Sequence, residues 1–585
     1  MIQSLRVVNR AGDGVVVRSA VRLLKRTVRE RADLSVSGRT ADWTVTLSIQ
    51  PGIGMEGFRI GDIAGGVQLA GNDERGLLYA VGQWLRSCRF SDSGMEPGDW
   101  RGVSVPVKPV RGMYFASHFH NFYHDAPIAA VRRYIEELAL WGCNTLSVWF
   151  DMHHYAGIDD PAAQAMIQRL RAILQAAEQV GMAPALTSLA NEAYANSPVP
   201  MRADWTAGHD GYTRPPGGHY HVEICPHAPG GLQQILDDRR RMLEAFRGID
   251  LQYFWIWPYD QGGCTCTQCA PWGANGFLKT AEPVARLVKE MCPNAKLILS
   301  TWYFDHFTTG EWDGIQQAFS TRRPDWVDYI LADDYGGFPE FPRIHGVPGG
   351  FPAVGFPEIS MERMWPWGGF GANPRPAHWQ DYWAKARDVL VGFFPYSEGI
   401  FEDLNKVITF QLLWNPDRAV DDIVREYASS EFGAAVKDDV VVLTYQLETA
   451  MEHGLKHQLL ERMWAVQERV GDRQPWPKQL RDELAHGDVY SIPRVKDAAG
   501  TRDLAQRIET GMRERDRAAW RWRIMWIRAE LDALLELSAG AATGASEACF
   551  EALIRIYHAR HAEASVLPPG IKALKRMIGC KPKPG

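Results

Sequence analysis

The chain has 585 residues, and its 64 Lys and Arg nearly balance its 70 Asp and Glu. This length exceeds what one compact core can hold and suggests about three or four domains. A charge pattern without a basic stripe or an acidic tail argues against nucleic-acid binding. No run of about 18 apolar residues occurs, so no membrane span is predicted.

The first residues, MIQSLRVVNRAGDGVVVRS, contain no long apolar segment after a charged start. No secretory signal is therefore predicted. The nine cysteines are an odd number scattered along the chain, which fits reduced thiols better than a disulfide framework. Together these features predict a cytoplasmic protein.

Two regions are expected to flank a larger central domain. Residues 1–105 predict a small α/β domain, because 43–49 alternates like a strand, 58–71 reads as two short strands around a turn, and 74–88 has helical spacing. Residues 417–585 show helical patterns and predict a helical C-terminal domain that caps the central one.

The central region, residues 106–416, alternates strand and helix patterns and predicts a (β/α)8 TIM barrel, an α/β fold. A doubly wound sheet is the alternative, but no GxGxxG motif opens a helix after the first strand. The eight predicted strands are 113–116, 145–150, 183–189, 252–257, 296–302, 329–332, 350–355 and 389–394.

The predicted strands end in carboxylates and aromatic residues, which in a TIM barrel meet at one rim. We identify four candidate catalytic carboxylates: Asp260, Asp333, Asp334 and Glu398. The candidate substrate-binding residues are His120, Asn121, Trp149, Asp151, Glu192, Trp257, Tyr259, Trp302, Tyr335, Glu358, Trp367 and Tyr396.

This combination suits glycoside hydrolysis, which needs one protonated carboxyl group, one ionised partner and rings that hold the sugar. The chain is rich in such rings, with 22 Trp, 19 Tyr and 23 Phe, although core packing accounts for about half of them. A single Asp at a strand end is more often a cap or loop anchor. Because carboxylates beside aromatic residues recur at the end of nearly every predicted strand, a role as caps or loop anchors explains the whole set less well.

A family resemblance rests on GVQLAGNDERGLLYAVGQWLR (66–86), followed by PVRGMYFASHFHNFY and YIEELALWGCNTLSVWFD. These segments resemble the join between the N-terminal α/β domain and the barrel in glycosidases of families 20, 67 and 89, and the domain order follows family 67. The segment YSEGIFEDLNKVI is similar to the one that carries a catalytic glutamate in family 89. This resemblance implies that Glu398 is a nucleophile or stabiliser.

Asp260 closely follows the fourth predicted strand, at the position where related barrels place the acid. Family 20 enzymes have adjacent Asp and Glu there, whereas this chain has Asp260 and Gln261. The segment DQGGCTCTQCAPWG (260–273) also resembles a Cys-rich rim loop of family 163-like relatives.

The cysteines of that segment, Cys264, Cys266 and Cys269, have a spacing that suits a structural zinc. Cys225 or His227 would supply the fourth ligand. Packed free thiols are the alternative, and a redox pair is disfavoured because the context is not thioredoxin-like. Catalysis itself is expected to need no cofactor.

We therefore predict a cytoplasmic, exo-acting glycoside hydrolase that removes a terminal N-acetylhexosamine or uronic acid from an oligosaccharide or glycoconjugate. Asp260 would donate the proton and Glu398 would be the second carboxylate, with Asp333 and Asp334 as the competing pair. Two alternatives remain at this stage. One is a carbohydrate-binding protein with a degenerate site, and the other is a metal-dependent hydrolase or lyase that uses the rim histidines, among them His153 and His154.

Overall fold

The computed structural model describes most of the chain. The described residues are 1–32, 34–37, 41–117, 122–203, 222–259, 262–332, 337–359, 372–448, 450–453, 491–494, 497–538 and 543–556.

The N-terminal region forms a mixed six-stranded sheet on which two helices pack. The strands are β1 Ser4–Asn9, β2 Ser35–Ser37, β3 Trp43–Ile49, β4 Phe58–Ile63, β5 Gly66–Gly71 and β8 Gly102–Ser104, in the order β2-β1-β3-β5-β4-β8. The helices are α1 Val15–Ala32 and α2 Glu74–Ser87, and a small hairpin joins β6 Arg89–Ser91 to β7 Gly94–Glu96. The strands and the helix predicted within residues 43–88 are confirmed.

The central region is a closed barrel of eight parallel strands. They are β9 Val110–Phe115, β10 Thr145–Trp149, β11 Ala183–Leu189, β12 Tyr253–Trp257, β13 Lys296–Ser300, β14 Tyr329–Leu331, β15 Ala353–Gly355 and β16 Leu390–Phe393. β9 pairs with both β10 and β16, which closes the barrel. The predicted fold is thus confirmed.

The seventh barrel strand begins later than predicted for a local reason. β15 begins at Ala353 rather than at residue 350, because Gly349 and Gly350 both have positive φ, 67° and 63°. That conformation belongs to turns and is open mainly to glycine. The turn therefore delays the strand.

Helices between the strands cover the barrel. They are α3 Phe122–Asp125, α4 Ile128–Leu140, α5 Pro161–Glu178, α6 Gly231–Ala245, α7 Gly276–Met291, α8 Glu311–Thr321, α9 Glu340–His345, α10 Pro376–Ala386 and α11 Asp403–Trp414. Most have one apolar face. α11 is buried on every side because it contacts β9, β16, α10 and α12.

The C-terminal region is mainly helical, as predicted, with one exception. Its helices are α12 Val420–Glu431, α13 Lys437–Leu447, then Ala498–Gly511, Glu514–Ala518, Trp520–Leu537 and Gly544–Arg555. A two-stranded antiparallel pair, β18 Ala450–His453 and β19 Ser491–Arg494, interrupts them. In the part of the chain that the structure describes, no helix is long and apolar enough to cross a membrane.

A buried ion pair joins the N-terminal region to the bottom of the barrel. Arg111, at the start of β9, donates to Glu56, which also accepts from Arg75 at 2.9 Å and from the Asn144 amide at 3.1 Å. Burial alone would raise the pKa of Glu56, but the two guanidinium groups outweigh it and hold that pKa below its usual value. The carboxylate therefore stays ionised inside the junction.

Candidate functional site

The carboxyl ends of the barrel strands carry a buried carboxylic acid, Glu398. It follows the short strand β17 Tyr396–Ser397, which pairs with β9. The side chain is almost fully buried, and the Tyr396 hydroxyl donates to its Oε1 at 2.6 Å. Burial, with a smaller contribution from the nearby Glu402 carboxylate, raises the pKa of Glu398 to about 8. The raised pKa favours the protonated form of Glu398 near neutral pH.

Glu402 holds the turn that presents Glu398. Its Oε1 accepts from the backbone N–H groups of Glu398 and Gly399, both at 3.1 Å, and from the Ser397 hydroxyl at 2.8 Å. Lys406, one helical turn later on α11, lies 3.7 Å from the same oxygen. Because these groups are buried, the turn has little freedom to move.

Lys406 is itself held by two tyrosines and by the turn. Its Nζ donates to the hydroxyls of Tyr123 and Tyr134, at 3.1 and 2.9 Å, and to the Gly399 carbonyl. A buried ammonium group needs such partners, since an unpaired charge is costly inside a protein. The network fixes the start of α11 against the barrel.

Aromatic rings from five strand ends form a floor at the barrel mouth. The ring centroid of Trp257 lies 5.8 Å from that of Trp302 and 4.9 Å from that of Phe356, and Phe356 lies 5.8 Å from Tyr396. We call this group the aromatic floor; its members are Trp149, Trp257, Trp302, Phe356 and Tyr396. Tyr396 thus belongs both to the floor and to the hydrogen bond with Glu398.

The indole N–H group of Trp257 is a hydrogen-bond donor at the mouth of the barrel. Its Nε1 is buried and has no hydrogen-bond partner among the described residues. A buried indole N–H normally finds an acceptor. Because Trp257 is the last residue of β12, this donor lies at the mouth end of the barrel, where a ligand hydroxyl would satisfy it.

Asp151, His153, His154 and Glu192 form a charged network after β10 and β11. Asp151 lies 2.5 Å from His153 Nδ1 and 2.8 Å from His154 Nδ1, and His153 Nδ1 lies 3.4 Å from Glu192. Burial would lower the pKa of His153, but Asp151 and Glu192 raise it to about 10. The imidazole is therefore a cation paired with carboxylates.

Glu192 is engaged with protein groups through both oxygens. Oε2 accepts from Trp149 Nε1 at 3.0 Å, and Oε1 accepts from the Met152 N–H at 2.8 Å. Beneath it the buried Arg239 donates to the carbonyls of Leu189 and Glu192. This arrangement suits a residue that orients Trp149 of the aromatic floor.

The atoms of Asp151, His153 and His154 lie close enough to hold a metal ion, within 4.8 Å of one another. However, Nδ1 of each histidine faces the Asp151 carboxylate at hydrogen-bonding distance. The geometry therefore favours hydrogen bonding.

Tyr259, a predicted substrate-binding residue, points away from the rim into a buried cluster. Its hydroxyl lies 2.6 Å from Glu311 Oε2 and donates there, and Glu311 also accepts from the N–H groups of Gly273 and Asp305. Burial raises the pKa of Glu311 to about 7. This cluster fastens the loop after β12 to the loop after β13.

The remaining predicted residues divide into two groups. Glu358 is half-buried beyond the end of β15, and its backbone forms a bridge with that of Tyr396, which brings it beside the Glu398 turn. The others lie outside the described residues: His120, Asn121, Asp260, Asp333, Asp334, Tyr335 and Trp367.

Four cysteines form a second group that is able to hold a metal ion. The sulfur atoms of Cys225, Cys264, Cys266 and Cys269 lie within 4.8 Å of one another. This set contains Cys225 and not His227, which the sequence had left as alternatives.

Three residues important to these networks were not singled out from the sequence: Arg239, Glu311 and Lys406. Lys406 had a visible signal, because it follows Glu402 by four residues, the spacing of an ion pair on a helix. Arg239 and Glu311 had none, because each is a charged residue in an otherwise ordinary amphipathic helix.

No family model matches the sequence, and no curated protein matches it. Among solved structures, a GH20 exo-β-N-acetylglucosaminidase from Vibrio harveyi in complex with N-acetylglucosamine is similar at 12% identity, with a TM-score of 0.52, over 76% of this chain and 75% of that chain. A family GH115 4-O-methyl-α-glucuronidase with specificity for decorated arabinogalactans is similar at 10% identity, with a TM-score of 0.53, over 98% and 79%.

A GH138 enzyme targeting pectin rhamnogalacturonan II is also similar, at 11% identity and a TM-score of 0.51, over 96% of this chain and 74% of that chain. Identities this low show a shared fold rather than a shared activity. The chain thus has the barrel fold of these glycoside hydrolases.

Proposed function

We propose that the protein is an exo-acting glycoside hydrolase that removes a terminal sugar from an oligosaccharide or glycoconjugate. The observation that carries this proposal is Glu398, a buried carboxyl group with a raised pKa beside the aromatic floor at the carboxyl end of a closed barrel. TIM-barrel enzymes have their active sites at this end. Glycoside hydrolysis requires such a proton donor next to rings that bind sugar.

The proposed substrate carries a terminal N-acetylhexosamine or uronic acid. Support comes from the fold, which is shared with an exo-β-N-acetylglucosaminidase and with a 4-O-methyl-α-glucuronidase. The aromatic floor would stack on the apolar face of the sugar ring, and the Trp257 N–H would donate to one of its hydroxyl groups. His153, His154 and Glu358 would contact the polar edge.

The catalytic pair in this proposal is Glu398 and Asp260. The sequence assigned proton donation to Asp260, but burial raises the pKa of Glu398 to about 8, which favours the protonated form of Glu398 near neutral pH. We therefore assign to Glu398 the transfer of this proton to the glycosidic oxygen. Asp260 is then the ionised carboxylate that steadies or attacks the oxocarbenium-like centre.

Aryl glycosides test this proposal, because release of the aryl group reports cleavage directly. The panel contains N-acetylglucosaminide, N-acetylgalactosaminide, glucuronide, galactoside and fucoside. We expect activity on one sugar, and a loss of about 10²–10⁴-fold in Glu398→Gln, the range that general acid catalysis supplies. Glu340→Gln, which alters an exposed carboxylate on α9, is the matched control and should keep full activity.

The same assay identifies the partner carboxylate. Asp260→Asn should lose activity as Glu398→Gln does. Full activity in Asp260→Asn, with loss in Asp333→Asn or Asp334→Asn, would transfer the role to that pair. Unchanged turnover in Glu398→Gln would refute the assignment, and sugar binding by tryptophan quenching with no cleavage of any panel member would favour a binding protein.

A further inference from the structure

Two separate loops bring four cysteine side chains together below the barrel rim. Cys225 belongs to the loop between β11 and α6, and Cys264, Cys266 and Cys269 belong to the loop between β12 and α7. Cys225 Sγ lies 3.8 Å from Cys266 Sγ and 3.8 Å from Cys269 Sγ. Cys225, Cys264 and Cys269 are buried, and Cys266 is partly exposed.

The distances between the sulfur atoms distinguish a disulfide from a metal site. A disulfide would bring two sulfur atoms to about 2.0 Å, and none of these four cysteines is in a disulfide. A tetrahedral zinc site has Zn–S bonds of about 2.3 Å, which places neighbouring sulfur atoms about 3.8 Å apart. The two separations from Cys225 equal this value, and they join residues 41 and 44 positions apart in the chain.

The loop between β12 and α7 packs closely around Trp272 and the cysteines. Trp272 is fully buried and donates from Nε1 to the Pro258 carbonyl at 2.8 Å. A Cβ on Gly263 would lie 2.0 Å from the Trp272 ring, and one on Gly276 would lie 2.4 Å from it and 2.9 Å from Cys269 Cβ. Glycine is therefore required at both positions, so that the loop can wrap closely around Trp272 and the cysteines.

Backbone hydrogen bonds turn the chain inside this loop. The N–H groups of Cys269 and Ala270 both donate to the Cys266 carbonyl, at 2.9 and 3.0 Å. This turn lies between Cys266 and Cys269, and the sulfur atoms of both lie within 4.8 Å of those of Cys225 and Cys264.

We propose that Cys225, Cys264, Cys266 and Cys269 bind a zinc ion as four thiolates, and that this ion has a structural role. Four protein ligands fill a tetrahedral zinc, so no position remains for a substrate or a water. Binding releases the thiol protons to solvent, and its free energy adds to the stability of the folded loops. The ion would fasten the loop after β11 to the loop after β12.

The proposed zinc site lies close in the chain to Asp260, the proposed catalytic aspartate. Asp260 precedes Cys264 by four residues, and Tyr259 is fixed by Glu311 on the other side. Zinc would therefore restrain the chain after the proposed catalytic aspartate, and the Tyr259–Glu311 hydrogen bond restrains it before that residue. The zinc site itself does not depend on the proposed activity.

Metal content and cobalt substitution test the site in the intact protein. Protein purified without chelators should contain a single zinc ion per chain by mass spectrometry of metals. Replacement by Co²⁺ should give the visible d–d bands of a tetrahedral ion together with thiolate charge-transfer bands. Zinc-free protein whose four thiols react freely, and which gives no thiolate cobalt spectrum when the metal is supplied, would overturn the proposal.

A variant with a matched control supports the assignment of ligands. Cys266→Ser should weaken zinc retention more than tenfold in a chelator competition and lower the melting temperature. Cys292→Ser, which alters a half-buried cysteine at the end of α7 outside the group, should change neither. Equal zinc retention in both variants would refute ligation by Cys266, and the metal and cobalt measurements do not require a variant to fold or any activity.

Discussion

Glu398 combines two opposing influences on one carboxyl group. Burial and the Glu402 charge disfavour its ionised form, whereas the hydrogen bond from Tyr396 favours that form. Burial has the larger effect, and the pKa rises to about 8. The rise keeps a proton available at neutral pH, where an ordinary glutamate would have lost it.

This pKa predicts the pH dependence of the reaction. If Glu398 is the proton donor, kcat/KM should fall as pH rises through about 8, because the donor is deprotonated above its folded-state pKa. The measurement is kcat/KM from pH 5 to pH 10 on the best aryl glycoside. A profile that instead rises through about 8 would mean that the ionised form is active, as the sequence had suggested for Glu398.

A substitution at Trp257 tests whether its indole N–H donates a hydrogen bond to the sugar. Trp257→Phe keeps a ring but removes the buried N–H, so we expect KM for the sugar to rise by about fivefold, equivalent to a hydrogen bond of about 1 kcal/mol. Trp255→Phe removes the same group two residues earlier, where the side chain is 0% exposed rather than 6%. A comparable rise in KM in both variants would count against a sugar contact at Trp257.

At the scale of elements, the start of α11 sets the position of the catalytic turn. Glu402 accepts three hydrogen bonds from residues 397–399, and Lys406 anchors the same turn from the next helical turn. The charge of Glu402 also raises the pKa of Glu398. A positioning residue on the helix therefore affects the acidity of the proposed proton donor.

This coupling predicts the behaviour of Glu402→Gln. The amide retains an acceptor oxygen for the turn but removes the negative charge, so the alkaline limb of kcat/KM should shift to lower pH. The control is Glu340→Gln, whose pH profile should match that of the original protein. A drop in activity without any shift of the limb would show that Glu402 acts on the structure of the turn alone.

At the scale of the whole molecule, the C-terminal helices are fastened to the barrel through a buried ion pair. Arg521 donates from Nε to Asp403 at 2.7 Å and from Nη2 to Glu137 at 2.8 Å. Asp403 also accepts from the hydroxyls of Tyr134 and Tyr427, at 2.9 and 2.7 Å. Because Asp403 is the first residue of α11, this contact also supports the turn that carries Glu398.

Arg521→Met should therefore reduce the free energy of unfolding by about 3–5 kcal/mol, since it leaves a buried carboxylate without its cation. Arg507→Met, on the exposed face of the helix Ala498–Gly511, should stay close to the original stability. Denaturant unfolding measures both variants. Equal midpoints would show that the pair contributes nothing to docking.

The same pair implies a direction for acid unfolding. Burial would raise the pKa of Asp403, but Arg521 and the Tyr427 hydroxyl hold it below its usual value. A folded-state pKa below the unfolded value stabilises the protein above about pH 4, and this contribution is lost as pH falls further. Arg521→Met should therefore lose less stability on acidification than the original protein does.

Much of the architecture could be predicted from local patterns. Apolar runs bounded by turn residues identified all eight barrel strands, because a strand buried on both faces leaves that signature in its own sequence. Errors occurred where backbone conformation overrode the pattern, as at Gly349 and Gly350. The pair β18–β19 was missed because it joins residues about 40 apart within a region of helical patterns.

The residues of the site could be predicted from the sequence better than the roles of their side chains could. Strand-end position identified Trp149, Trp257 and Glu398, since parallel strands place their carboxyl ends at one rim. It also selected Tyr259, whose hydroxyl faces Glu311 instead of the mouth. Position along a strand specifies the end of the barrel that a residue reaches, whereas the packing of neighbouring loops decides where its side chain points.

The barrel, its order of elements and the residue types at its rim could thus be predicted, because they follow from periodicity within short segments. The three-dimensional arrangement was needed to show that Cys225 joins Cys264, Cys266 and Cys269, that Glu402 holds the Glu398 turn, and that burial raises the pKa of Glu398. Each of these three features depends on burial and on contacts between segments that the closed barrel brings together. No single segment of the sequence encodes such contacts.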